Sequence, residues 1–156
     1  MWRTYSGVLL TENLIDEVER IIIEEQALGY SLKLCIGTDS QVYGNKIEFA
    51  TVIVFLRQRQ GGRMLVNKKL VTQKMQLHER LLHEVTMSIE TAYSLIELLN
   101  KYKIGLEVHA DINTDPKHKS ERSLAEAKGY ITGMGFEFKG KPDGFASSNC
   151  ANKFVN

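Results

Sequence analysis

Two short runs of β-forming residues each end on an aspartate: Cys35-Ile36-Gly37-Thr38-Asp39-Ser40-Gln41 and Val108-His109-Ala110-Asp111-Ile112-Asn113. A carboxylate at the end of a strand is held rigidly and can face a cleft. If the two strands are neighbours, Asp39 and Asp111 stand close enough to repel one another unless they share a cation. Otherwise each opens a turn or caps the segment that follows, the ordinary work of Asp after a strand.

A third acid is sought on the longest helical pattern, from about Gln76 to Asn100, which offers Glu79, Glu84, Glu90 and Glu97. At about 100° per residue, Leu81, Val85, Ile89, Ala92, Ile96 and Leu99 define one apolar stripe. Glu79, Glu90 and Glu97 point away from it and belong in solvent. Glu84 lies at the stripe's edge beside Leu77, Ser88 and Leu95, where its side chain can reach along a sheet. It is the third acid of the set.

Other chemistry is poorly supported. His78 and His83 stand five residues apart, whereas a helical zinc pair needs a spacing of four. His78 is expected in the core and His83 at the surface. His109 reads as a packed strand histidine, with a supporting place behind Asp111 as the alternative. Cys35 and Cys150 belong to no zinc or nucleophile motif. Neither G-x-x-x-x-G-K-[ST] nor G-x-G-x-x-G occurs, which disfavours nucleotide hydrolysis and dinucleotide binding. The basic run Lys117-His118-Lys119 follows Asp111 closely, and Arg122 and Lys128 extend it. It is either a solvated loop or a set of phosphate contacts beside the acids.

The elements that must position these groups follow from periodicity. Thr11 can cap a helix through Leu14, Ile15, Val18, Ile21, Ile22 and Leu28, which Gly29 ends. Three β-like runs, Leu32 to Asp39, Ile47 to Leu56 and Met64 to Thr72, suggest an antiparallel meander. After the long helix come a strand from Leu106 to Ile112, a helix from Ser120 to Gly133, an extended piece from Phe136 to Lys139 and a closing helix from Ser147 to Val155. The order is helix, then β-β-β-α-β-α-β-α, an α/β layout with a five-stranded mixed sheet.

With 156 residues and no linker or repeat, residues 1–156 read as one domain, of which 1–30 form a helical extension. Lys+Arg 20 against Asp+Glu 19 leaves a charge of +1, so no global field announces a partner. The acids concentrate early: residues 1–30 hold six against two arginines, and their helix could dock onto another subunit. The longest apolar run, Val52 to Leu56, is far short of the roughly 18 residues a membrane helix needs. With no secretory leader and only two cysteines, a reduced, cytoplasmic protein is expected.

A strand carrying Thr38-Asp39-Ser40, a meander, a helix bearing an acid, a fourth strand ending in Asp111 and a C-terminal helix resemble the ribonuclease H-like fold. Ile36-Gly37-Thr38-Asp39-Ser40-Gln41 together with Ala146-Ser147-Ser148-x-x-Ala151-Asn152 resembles the bacterial YkuK-like family within it. The likeness runs from about Leu32 to the end. It implies a nuclease that cleaves RNA or an RNA–DNA hybrid with two Mg²⁺ or Mn²⁺ ions, roughly 3.5–4 Å apart. Asp39 would bridge both ions, with Glu84 and Asp111 completing the site, and Ser40, Gln41, Lys117, Lys119 and Arg122 contacting nucleic acid. The resemblance to active ribonucleases H would place an Asp after Ala151 in the last helix, where this chain has Asn152. Asn brings a carbonyl oxygen without charge, and Asp143 or Asp115 could supply the missing carboxylate. The alternative is a catalytically degenerate module that binds nucleic acid or protein.

Overall fold

The computed structural model describes residues 1–58, 61–113, 121–141 and 146, with 111–113, 121–124 and 141 described by backbone alone. The expected closing helix, Asp115, Lys117, Lys119, Asp143, Cys150 and Asn152 lie outside the described residues.

The described elements are β1 (Trp2–Thr4), α1 (Leu14–Ala27), β2 (Leu32–Tyr43), β3 (Lys46–Arg57), β4 (Gly62–Val71), α2 (Leu77–Lys101), β5 (Gly105–Asn113), α3 (Glu121–Gly133) and β6 (Glu137–Lys141). They form a mixed six-stranded sheet in the order β1-β4-β3-β2-β5-β6, so the α/β class expected from the pattern holds. The sheet has one strand more than expected. β1 is three residues long, too short for a period to register, and is held by its antiparallel pairing with β4 at Leu65–Asn67 and a bridge from Arg3 to Leu9.

β2, β3 and β4 are the antiparallel meander, and β2–β5 and β5–β6 are parallel. The first hairpin is longer than its apolar residues suggest, because the β2–β3 ladder continues to Tyr43↔Lys46. Gly44 stands first in the two-residue loop with φ 60°, a left-handed conformation a side chain would resist. Asp39 is therefore not at the end of its strand.

Alternation divides the sheet into two faces. Leu34 and Ile36 of β2, Ile53 and Phe55 of β3, Leu65 of β4 and Val108 and Ala110 of β5 join residues of all three helices in the main core. On the other face Cys35, Ala50, Val52, Val54 and Val66 are buried together with Ala146. The cap of α1 is Asn13 rather than Thr11: its Oδ1 accepts the N–H of Asp16 at 2.9 Å, three positions on, where a capping oxygen is needed. No helix among the described residues is long and apolar enough to cross a membrane.

Candidate active site

The site grows out of the way α2 lies on β2. Ser88 is fully buried, and its hydroxyl lies 2.7 Å from that of Thr38, which in turn lies 2.9 Å from the Thr51 hydroxyl on β3. One helical turn earlier, Glu84 accepts a hydrogen bond from Ser40 Oγ at 2.5 Å. Thr38 and Ser40 are two residues apart on β2 and so share the helix-facing side. Asp39, between them, faces the side of Cys35 and Ala50.

Ser40 joins the two acids. Its backbone N–H donates to Asp39 Oδ1 at 2.9 Å while its hydroxyl holds Glu84. With standard bond lengths inside the serine, these links keep carboxylate oxygens of Asp39 and Glu84 within about 9 Å of each other. Both side chains are buried, Asp39 being 5% and Glu84 4% exposed. The helical wheel is thus matched on α2: Glu84 is taken in, and Glu79, Glu90 and Glu97 are exposed.

Sheet topology puts Asp39 and the backbone of Asp111 at matching positions on neighbouring strands. The parallel ladder between β2 and β5 ends at Gly37↔His109, and Asp39 and Asp111 each lie two residues beyond it. β5 also loses its regular register with β6 between His109 and Asn113, where four residues advance against two from Lys139 to Lys141. Asp111 falls in this irregular stretch. Open α/β sheets place ligands in the crevice beyond the carboxyl ends of parallel strands, and bulges often re-aim residues there.

The remaining candidates divide. Ser40, expected at a nucleic-acid surface, is buried and has its hydroxyl engaged by Glu84, so it acts on the acids. Gln41 is half-buried and pairs in register with Glu48. Arg122 lies in the first turn of α3. His78 is not a core histidine: it is half-buried, and its Nε2 lies 3.2 Å from Glu126 on α3. His83 is half-buried with its ring centroid 5.0 Å from that of Phe49, rather than at the surface.

His109, for which the sequence offered a supporting place behind Asp111, belongs to a buried group whose other members, Cys35 and Glu107, were not foreseen. Cys35, Glu107 and His109 bring potential ligand atoms within 4.8 Å of one another on Asp39's face of the sheet. His109 Nδ1 accepts the Ala146 N–H at 3.0 Å, so the neutral ring carries its proton on Nε2 and donates it to Glu107 Oε1, also at 3.0 Å. Burial pushes the His109 pKa down, against the pull of Glu107. Burial pushes the Glu107 carboxyl up, but hydrogen bonds from Lys33 and His109 outweigh it and leave the pKa below the ordinary range. For His109 to bind a metal through Nε2, Nδ1 would have to turn from acceptor to donor against the Ala146 N–H. The cluster is accordingly a hydrogen-bonded support that fixes β5 and the segment at Ala146. The signal available in the sequence was the alternation Glu107, His109, Asp111 on one strand.

Residues 13–156 match the family model for ribonuclease H-like proteins. The chain belongs to the ribonuclease H-like family. It is 32% identical over 158 residues to the uncharacterised protein YkuK of Bacillus subtilis (strain 168), a match that covers 92% of this chain and 90% of that protein. Among solved structures it is similar to the crystal structure of RNase H1 from the halophilic archaeon Halobacterium salinarum NRC-1. That likeness has a TM-score of 0.42 at 12% identity and covers 78% of this chain and 96% of the other.

Proposed function

We propose that this protein is a divalent-metal-dependent nuclease that hydrolyses phosphodiester bonds of RNA or an RNA–DNA hybrid by a two-metal mechanism. The observation that carries the reading is the Ser40 link, which holds two buried carboxylates from different elements beside the carboxyl end of a parallel strand pair. Such a donor set fits Mg²⁺ or Mn²⁺, because hard cations take oxygen ligands. Asp39, Glu84 and Asp111 would hold the ions, with Asp143 or Asn152 as the further ligand. Bound there, the ions would lower the pKa of a water and stabilise the leaving oxygen.

The chain's own contribution is to fix these groups before substrate arrives. The Thr38–Ser88 contact sets the depth of α2 on β2, and the next turn then delivers Glu84 to Ser40. Lys117, Lys119 and Arg122 follow Asp111 in the chain and supply backbone-phosphate contacts that carry no sequence preference.

A second reading rests on Asn152, which stands where active ribonucleases H carry a carboxylate. Without that charge the fold would bind nucleic acid and cleave feebly. Calorimetric titration with Mn²⁺ and an RNA–DNA hybrid cleavage assay test both readings. Asp39→Asn should weaken Mn²⁺ binding far more than Glu90→Gln, since Glu90 is exposed. Equal losses would refute the assigned site. Faster cleavage by Asn152→Asp at unchanged hybrid affinity would establish the degenerate site. Absence of cleavage by both forms, each still binding Mn²⁺, would refute the nuclease.

A further inference from the structure

The contacts between α2 and β2 advance in steps. Four helical residues rise about 6 Å and two strand residues about 6.7 Å, so an antiparallel helix and strand stay nearly in phase over a few turns. Ser88 meets Thr38, and Glu84 meets Ser40. The same step leads to Arg80 and Val42. Val42 has no polar side-chain atom, and the Arg80 Nε is buried without a hydrogen-bond partner among the described residues.

Such a donor needs an explanation. A buried polar group without a partner is destabilising, and in native proteins it often marks a place that a ligand completes. Arg80 is half-buried and stands one turn from Glu84 on the same face of α2. Its guanidinium is permanently charged and carries donors in a planar fork that matches two oxygens of a phosphate. It stands one helical turn from Glu84, within reach of where a strand held at the acids would carry a neighbouring phosphate.

We infer that Arg80 is a substrate-binding residue of this site, which pairs through Nε and one terminal nitrogen with a phosphodiester of the bound nucleic-acid strand. This deepens the nuclease reading and rests on it. The contact requires the half-buried side chain to turn its fork outward as the strand arrives, which exchanges an unpartnered donor for a charged pair. Cation and carboxylate would divide the work: Glu84 would help hold the metal ions and Arg80 would pair with a neighbouring phosphate.

The test measures binding of an RNA–DNA hybrid with Ca²⁺ in place of Mn²⁺, together with a separate Mn²⁺ titration in the absence of nucleic acid. Arg80→Gln should weaken hybrid binding roughly tenfold or more. The slope of log K against log salt should fall by about 0.7–0.9, the loss of one phosphate contact. Mn²⁺ affinity and the melting temperature should not fall, because Nε has no partner among the described residues to lose. Arg80→Lys should keep the salt slope and recover only part of the affinity, since it restores charge without the fork. Hybrid binding by Arg80→Gln equal to wild type would overturn this inference alone. A parallel loss of Mn²⁺ affinity would also overturn it, by showing Arg80 to be structural. Failure of the wild-type protein to bind hybrid, RNA or DNA would overturn the nuclease reading and this inference with it.

Discussion

Replacing Ser40 with alanine isolates the link on which the site depends. The change removes the hydroxyl that donates to Glu84 at 2.5 Å but leaves the Ser40 N–H and its bond to Asp39 in place. A hydrogen bond to a charged group contributes about 1.5–3 kcal/mol, and Glu84 is too buried for water to replace the donor freely. The strand preference of Ser over Ala adds no more than a few tenths of a kcal/mol at a position fixed by packing. For a chain of this length each kcal/mol moves the melting temperature by about 2–4 °C, so metal-free Ser40→Ala should melt roughly 3–12 °C below wild type. Groups that orient metal-binding side chains typically contribute 10–100-fold to affinity, so Mn²⁺ should bind about 10–100-fold more weakly. Ser40→Thr keeps a hydroxyl at the same place and should recover much of both. Differential scanning calorimetry without metal, followed by Mn²⁺ titration, reads the two effects separately. Wild-type melting and wild-type Mn²⁺ affinity in Ser40→Ala would refute the link. A stability loss with intact Mn²⁺ binding would refute its role in positioning Glu84.

Two further outcomes are expected. Thr38→Val leaves the buried hydroxyls of Ser88 and Thr51 without their shared partner, so it should lower stability by about 1–3 kcal/mol, seen as a fall in denaturation midpoint at unchanged slope. The Arg57 guanidinium, bound to Glu25 at 2.6 and 2.8 Å, holds that carboxyl below its ordinary 4.5. A depressed carboxylate stabilises the fold above the unfolded pKa and loses that contribution as pH falls through the folded one. Glu25→Gln should therefore be less stable than wild type at neutral pH, and chemical denaturation should show the difference shrinking as pH drops from about 4.5 downward. A pH-independent difference would mean that the charge plays no part.

The parts of the fold that were legible are those written in local periodicity. The stripe on α2 is a property of one helix, so the wheel could separate Glu84 from Glu79, Glu90 and Glu97 before any neighbour was known. Strand ends were less legible. Ser40 and Gln41 break the apolar run of β2, yet the strand continues because β3 pairs with it residue by residue as far as Tyr43↔Lys46. What ends near Asp39 is the pairing with β5, a contact across roughly 70 residues that no local pattern encodes. The roles of Ser40 and Arg80 are hidden for the same reason: a serine in a strand and an arginine in a helix are ordinary until the fold sets one against Glu84 and leaves the Nε of the other buried without a partner among the described residues.

The acidic N-terminal helix shows how composition can suggest a partner that the chain itself provides. Six acids against two arginines in residues 1–30 look like a surface awaiting a basic neighbour. In the folded chain Glu17 and Glu24 pair with Arg20 on the same helix, Glu24 and Glu25 meet Arg63, Glu25 takes Arg57, and Glu19 binds both Lys101 and the Tyr102 hydroxyl. Apart from Arg20, the basic partners come from β3, β4 and the end of α2, elements that lie far from α1 in sequence. Much of the helix's negative charge thus fastens α1 to the sheet. Its apolar side does the same, since Val18, Ile21 and Ile22 are buried in the main core with β2 and α2. A helix held on both counts is a structural buttress to the strand that carries Asp39. The charge asymmetry read along the chain is, in space, largely internal neutralisation.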